Sequence, residues 1–175
     1  NGNFRMTEFQ AALLMSQMKG LKERAQVRSE NAEYLTKLLT EIPGIHPAKQ
    51  YSGCTRNAYH LYMFRYDPDA FEGLPRNRFV NALRAEGVSC SPGYGPLNKD
   101  QFLMDALQSE PFVRVYGRET IGQWSERNQC PENDKLCEQG VSFYQTVLLT
   151  DRTRMEQIAA AIHKIKKYAK ELQKS

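Results

Sequence analysis

The first residues of the chain combine donor side chains with the start of a helix, a pattern that suits an anionic ligand. Asn3 and Arg5 offer an amide and a guanidinium on either side of Phe4, after a Gly-containing turn. Thr7 and Gln10 have the spacing of a capping box, which predicts a helix beginning at Thr7. Free backbone N–H groups and the helix dipole favour negative charge at this end. The same residues also fit an ordinary capped turn with a surface arginine.

Two later segments hold side chains that could contact a small polar substrate. Tyr94 lies in residues 91–97, where two Gly and two Pro exclude regular structure. Its hydroxyl and ring suit the rim of a sugar site, and the ring could equally pack onto the core. His60 lies among tyrosines on a predicted strand, where a lone histidine is more often structural. We take Tyr94 and His60 as candidate substrate-binding residues and assign no catalytic residue and no metal ligand.

The hydrophobic periodicity predicts the elements that must position these residues. The predicted helices are residues 7–19, 21–42, 75–86, 131–140 and a final helix capped by Asp151. Extended segments are expected at residues 58–66, 88–90 and 141–148. Residues 102–107 favour a helical turn, and residues 108–129 have no assignable pattern. This order predicts an α+β fold in which long helices pack on a small, mostly antiparallel sheet.

Each predicted helix has an apolar face at helical spacing. On the first helix this stripe is Ala11, Leu14, Met15 and Met18, and on the second it is Leu21, Ala25, Ala32, Leu35, Leu39 and Ile42. The third helix directs Phe79, Val80 and Leu83 inward, and the last helix buries Met155, Ile158, Ala159, Ile162 and Ile165.

The composition describes a globular protein. The 175 residues are 41% hydrophobic and 25% charged, and no apolar run reaches the length of a membrane span. The net charge of +4 is mild, and the lysines near the end fit a solvated helix face, so we expect neither a nucleic-acid nor a membrane partner. The four cysteines have no zinc-like spacing, which predicts free thiols and a cytoplasmic location.

Five ordered blocks of the sequence resemble the C-terminal part of the DegT/DnrJ/EryC1/StrS aminotransferases. These are pyridoxal-phosphate enzymes of fold type I that act on keto sugars and cyclitol ketones. The blocks are residues 3–12, residues 58–62 with 65–66, residues 85–88, residues 93–97 and the region from Cys130-Pro131 through Leu136-Cys137 to the helix 155–165. Two features depart from the family pattern. Asn1 and Gly2 stand where the family has glycine and an aromatic residue, and residues 108–129 match no family block.

The resemblance implies a division of the chain and a role for its first residues. Residues 1–45 would be the interdomain helices that follow the cofactor-phosphate motif, and residues 46–175 the small C-terminal domain. In the family the asparagine at the position of Asn3 reaches across a homodimer interface to the cofactor phosphate of the neighbouring subunit. Arg5 would lie near the phosphate or a substrate carboxylate, or would bind carbonyl groups of the turn.

The resemblance also implies an activity. The family transfers an amino group from an amino acid, here glutamate or glutamine, to a keto sugar, often nucleotide-linked, or to a cyclitol ketone. The lysine that binds the cofactor lies in the preceding domain, so we expect this segment alone to be inactive. Family members with histidine in place of that lysine dehydrate keto-deoxysugars, and residues 1–175 do not include the deciding position. A freestanding, non-enzymatic binding or regulatory module is the third alternative.

Overall fold

The computed structural model describes residues 5–174, which form an α+β fold around a four-stranded sheet. Its strands are β1 (Ile45–Pro47), β2 (Leu61–Tyr66), β3 (Cys90–Ser91) and β4 (Gly140–Tyr144). Its helices are α1 (Glu8–Met18), α2 (Leu21–Thr40), α3 (Arg76–Ala85), α4 (Gln101–Leu107), α5 (Glu110–Tyr116), α6 (Arg118–Gly122), α7 (Trp124–Arg127), α8 (Pro131–Gln139), α9 (Arg152–Lys167) and α10 (Ala169–Leu172). The strand order is β1-β2-β4-β3, and each neighbouring pair is antiparallel.

The core lies between one face of the sheet and the helices α2, α3 and α9. Along β2, Tyr62, Phe64 and Tyr66 are buried, as the two-residue period of a half-covered strand requires. The ring of Tyr66 stacks on Phe79 of α3, with 4.2 Å between centroids. The inward faces predicted for α3 and α9 are confirmed, and so is that of α2, except that Leu21 is exposed.

Helix α1 begins as predicted but does not join this core. Gln10 donates its backbone N–H to Thr7 Oγ1, and Thr7 donates its own to Gln10 Oε1, which confirms the capping box. No residue of α1 is buried, and Phe9 is 91% exposed. The stripe formed by residues 11, 14, 15 and 18 is therefore not buried against the described part of the chain. Apolar surface of this extent on one helix marks an interface.

Helix α2 and strand β1 join residues 1–45 to the rest of the chain. Ala32, Leu35 and Leu39 of α2 are fully buried in the same core as the sheet. Strand β1, which the sequence did not indicate, spans the predicted division between residues 45 and 46 and pairs with β2. The second half of α2 thus packs in one core with the sheet.

The structure corrects three sequence expectations. Residues 108–129 are not irregular, because they hold the short helices α5, α6 and α7. The extended segment predicted at 141–148 ends at Tyr144, where a 3-10 helix (Gln145–Leu149) follows. Strand β2 begins at Leu61, so His60 precedes the strand at a bend and is exposed rather than lying within it. The helix predicted at 102–107 is confirmed as α4.

Candidate functional site

The start of α1 presents an exposed cation beside the helix N-terminus. Arg5 is exposed and forms no hydrogen bond or ion pair with the described residues. The helix that follows is held by its capping box, so its first turn is fixed in position. A guanidinium next to first-turn N–H groups suits a phosphate or carboxylate. Asn3, predicted as the cofactor contact, lies outside the described residues.

The loop of residues 91–97 is anchored at its base by one arginine. Arg76 Nη1 donates to the carbonyl oxygens of Pro92, Cys137 and Gly140, at 2.8 Å for Pro92 and 3.1 Å for Gly140. Ser91 is hydrogen-bonded to Ser142 across β3 and β4, with 2.9 Å between the hydroxyl oxygens. These bonds hold the loop against the start of β4 and the end of α8. Beyond the anchor, Tyr94 is 71% exposed.

Two cavities flank this loop and share Tyr94. The first, which we term the apolar cavity, has a volume of about 520 Å³ and lies against the face of β2 that carries Met63. Its other walls include Asn98, Leu103, Trp124 and Leu136. The second, which we term the charged cavity, has a volume of about 390 Å³. It is lined by Arg76, Lys99, Asp134 and Glu138 together with the loop.

An ion pair closes one side of the charged cavity. Lys99 Nζ lies 2.8 Å from Asp134 Oδ2. This hydrogen bond raises the pKa of Lys99, so the amine is firmly protonated. Lys99 is thus paired with a carboxylate, and Arg76 Nη1 is bound to three carbonyl groups of the chain.

A buried arginine holds the segment that leads to His60. Arg28 of α2 is only 7% exposed, and its Nε donates to the carbonyl oxygen of Ala58 at 3.2 Å. Tyr59, next along the chain, has a positive φ of 48°, so the backbone turns sharply before β2 begins. His60 itself is exposed and forms no hydrogen bond with the described residues. Arg28 therefore fixes the backbone from which His60 projects.

The structure does not bring His60 and Tyr94 together. Leu61 lies opposite Tyr144 at one end of β4, and Ser91 lies opposite Ser142 with the loop continuing towards Gly140 at the other end. Four residue steps of a strand separate these ends by about 13 Å. A single small substrate lying against the 91–97 loop would therefore not contact His60 in the same subunit.

Several residues around the loop could not be predicted as functional from the sequence. Arg76 and Asn98 are single polar residues in polar segments, and no local pattern distinguishes them. Trp124 lies in residues 108–129, which match no family block. Its only distinguishing feature in the sequence is that it is the sole tryptophan of the chain. The described residues contain no cluster of His, Cys, Asp or Glu that could hold a metal ion. None of the described helices has both the length and the apolar character needed to span a bilayer.

The fold is an α+β domain. Its candidate site consists of the 91–97 loop, which is flanked by two cavities, and of helix α1, which is exposed and has a capped N-terminus beside Arg5. Residues 2–115 match the DegT/DnrJ/EryC1/StrS aminotransferase family. Because this match covers more than half of the chain, the chain belongs to that family.

Similar proteins extend the match to nearly the whole chain. An L-glutamine:2-deoxy-scyllo-inosose aminotransferase from Streptoalloteichus tenebrarius is 33% identical over 174 residues, covering 95% of this chain and 39% of the relative. A protein of that description from Streptomyces kanamyceticus is 30% identical over 161 residues, covering 91% and 37%. The chain thus spans about two fifths of the length of these relatives.

Solved structures give the same assignment of the fold. A 3-amino-5-hydroxybenzoic acid synthase matches with a TM-score of 0.71 and 26% identity, over 93% of this chain and 39% of that protein. An Escherichia coli GDP-4-keto-6-deoxy-D-mannose-3-dehydratase with bound hydrated pyridoxal phosphate matches with a TM-score of 0.63. At 18% identity this second likeness supports the fold alone. These neighbours place the chain within the fold type I aminotransferases as a partial domain.

Proposed function

We propose that this chain is the C-terminal part of a pyridoxal-phosphate-dependent aminotransferase that moves the amino group of glutamine to a keto cyclitol or keto sugar. The observation that carries the proposal is the match of nearly the whole chain to glutamine:scyllo-inosose aminotransferases. The family match over residues 2–115 includes the helix start at Arg5 and the loop at Tyr94. Glutamate is the alternative amino donor. The active form would be a homodimer in the cytoplasm, with each active site built from both subunits.

The start of α1 has the chemistry that a cofactor phosphate requires. Arg5 lies beside a helix N-terminus and has no hydrogen bond or ion pair with residues 5–174, and the capping box fixes the direction of the first-turn N–H groups. Asn3 and Arg5 would hold the phosphate of the cofactor bound to the partner subunit. When bound, pyridoxal phosphate supplies the electron sink that amino-group transfer needs. This segment would then contribute binding and orientation, and the preceding domain the covalent attachment.

The 91–97 loop would form part of the acceptor side of the active site. Tyr94 is exposed on a loop whose base is pinned by Arg76, so its ring can contact a ligand without disturbing the core. This exposure favours the substrate-rim interpretation over the one in which the ring packs inward. His60 would contact a different part of the substrate or a different ligand, because it lies at the opposite end of β4 from this loop.

The whole protein can be tested with alternative amino acceptors. We expect it to convert 2-deoxy-scyllo-inosose and L-glutamine into an aminocyclitol, detected by mass spectrometry. A nucleotide-linked 4-keto-6-deoxy-sugar should be aminated more slowly under the same conditions. Dehydration of that keto-deoxysugar without amination would contradict the proposal and favour the dehydratase alternative. Binding of partner proteins with no turnover of any acceptor would favour a non-enzymatic module.

A further inference from the structure

Two buried side-chain oxygens without a hydrogen-bond partner lie beside the 91–97 loop. They are Asn98 Oδ1 and Asp134 Oδ1, and no other buried side-chain oxygen or nitrogen of the described residues lacks a partner. The remaining polar atoms of both side chains are bound. Asn98 Nδ2 donates to the carbonyl oxygen of Asn128 at 2.8 Å, and Asp134 Oδ2 accepts from Lys99. Buried acceptors are normally paired, so donors are expected on both sides of this loop.

The residues that line the apolar cavity indicate which kind of ligand could supply such a donor. No charged residue is among the described residues that line it. Tyr94 and Trp124 contribute aromatic surface, and Leu97, Leu103 and Leu136 contribute aliphatic surface. Its volume of about 520 Å³ is in the range of small-molecule sites. Apolar walls with one or two fixed acceptors suit a neutral ring that carries hydroxyl groups.

We propose that the apolar cavity binds the ring of an uncharged polyhydroxylated acceptor, with Asn98 Oδ1 accepting a hydrogen bond from a ring hydroxyl and Trp124 lying against a C–H face of the ring. The inference rests on the proposed function and narrows it to a cyclitol ketone rather than a nucleotide-linked sugar. A diphosphate would need cations beside the ring, and none of the described residues that line this cavity is charged.

Asn98 Oδ1 is buried, so the groups that cover it must shift before a ring hydroxyl can bind it. The 91–97 loop is the part of the cavity wall that we expect to move. Gly93 has a φ of +79°, and a Cβ at Gly95 would meet no atom within 4 Å, so this part of the loop is loosely packed. The anchor at Arg76 holds the base of the loop while its tip moves.

The emission of Trp124 provides a direct measure of binding. In the whole protein, this emission is the difference between the spectra of the protein and of its Trp124→Phe variant. We expect scyllo-inositol, a ring polyol that cannot be aminated, to change the emission in a saturable way, and UDP to have no effect. An unchanged Trp124 signal over the full titration, or a UDP effect equal to that of the polyol, would overturn the proposal.

Substitutions at Asn98 separate ligand binding from folding. Asn98→Leu removes the acceptor and should weaken scyllo-inositol binding about tenfold, the effect of one lost hydrogen bond. Asn81→Leu, the same change at an exposed position outside this cavity, should leave binding unchanged. Asn98→Asp keeps an acceptor but loses the donor to Asn128, so it should bind within about threefold of the parent. If Asn98→Leu does not fold, Asn98→Ala removes the same acceptor and should show the same loss, and unchanged binding in that variant would overturn the proposal.

The same variants distinguish this inference from the proposed function. Saturable polyol binding that depends on Asn98 supports the cavity even if the protein aminates no cyclitol, an outcome that would contradict only the proposed function. Amination of the cyclitol with an unchanged KM in Asn98→Leu would overturn the cavity and leave the proposed function intact.

Discussion

Asn31 shows how one buried amide can join distant parts of the chain. It lies on α2 and is 6% exposed, and its Nδ2 donates to the carbonyl oxygens of Leu148 at 2.9 Å and Thr150 at 2.7 Å. These carbonyls stand just before α9, more than a hundred residues away in sequence. The carbonyl of buried Leu148 and that of exposed Thr150 therefore both accept from this one amide.

The contribution of Asn31 can be measured by its removal. Asn31→Ala should lower the free energy of unfolding by about 1–3 kcal/mol, because two hydrogen bonds are lost and the buried Leu148 carbonyl loses this donor. Urea unfolding followed by circular dichroism would measure the change. Gln26→Ala is the matched control, since Gln26 binds Glu30 on the exposed face of the same helix. That variant should differ from the parent by less than about 0.5 kcal/mol, and equal losses in both would contradict the argument.

Individual residues differ in how far the sequence could predict them. The Thr7–Gln10 capping box is a local pattern with known spacing, and both of its hydrogen bonds are present. Asn31, Arg76 and Asn98 act through partners 16 to 119 residues away, such as Thr150 for Asn31 and Pro92 for Arg76. Such partners are set by the tertiary fold and leave no mark in a short window of sequence.

The turn between α2 and β1 holds its backbone in a tightly constrained conformation. Gly44 has a φ of +93°, and its carbonyl oxygen accepts from the backbone N–H of Asp67 at 2.8 Å. A Cβ at this position would overlap Ala70 Cβ and press on the ring of Phe71. This turn thus needs glycine both for its conformation and for close packing.

A pair of glycine variants separates these two requirements. Gly53 has a nearly equal φ of +94°, but a Cβ there would meet no atom within 4 Å. Gly53→Ala should therefore cost about 1–2 kcal/mol of unfolding free energy, from conformation alone. Gly44→Ala should cost about 1–3 kcal/mol more, because the methyl group also overpacks the core. Thermal unfolding of both variants measures the difference, and equal losses would show that the packing at Phe71 adjusts without cost.

The elements that the sequence predicted are those whose hydrophobic period repeats over several turns. Helices α2, α3 and α9 have such a period, and their buried faces match it. Strand β1 has only three residues, which include Pro47, so it has no visible period. It forms by pairing with the edge of β2. Helices α5, α6 and α7 are four to seven residues long, which is too short for a period to be visible. Their order comes from packing beside the loop rather than from local preference.

For the whole molecule, the exposed faces of this chain indicate where further protein surface must lie. Helix α1 leaves Phe9, Leu13 and Met15 more than half exposed. Arg5, just before this helix, has no hydrogen bond or ion pair with the described residues. A helix of this composition is unfavourable in water unless other surface covers it. In the proposed homodimer, this helix and the preceding turn would meet the remaining domain and the neighbouring subunit, which is also where Asn3 and Arg5 would contact the cofactor.

Complementation between two inactive variants tests the shared site, which rests on the proposed function. One whole-length variant carries Asn3→Ala and Arg5→Ala, and the other lacks the lysine that binds the cofactor. If each site combines the lysine of one subunit with Asn3 and Arg5 of the other, a hybrid dimer has one intact site. Random pairing makes half of the dimers hybrid, so co-expression should restore about a quarter of the parent activity.

The control is a variant with all three substitutions in one chain, co-expressed with the variant that lacks only the lysine. No hybrid of that pair has an intact lysine, so it should remain inactive. Both preparations should elute as dimers on size exclusion with light scattering. Dimers of the first pair that contain both chains and show no activity would mean that Asn3 and Arg5 serve the site of their own subunit. In that case the start of α1 would have to fold back onto its own preceding domain, and the exposed face of α1 would belong to a contact within one chain.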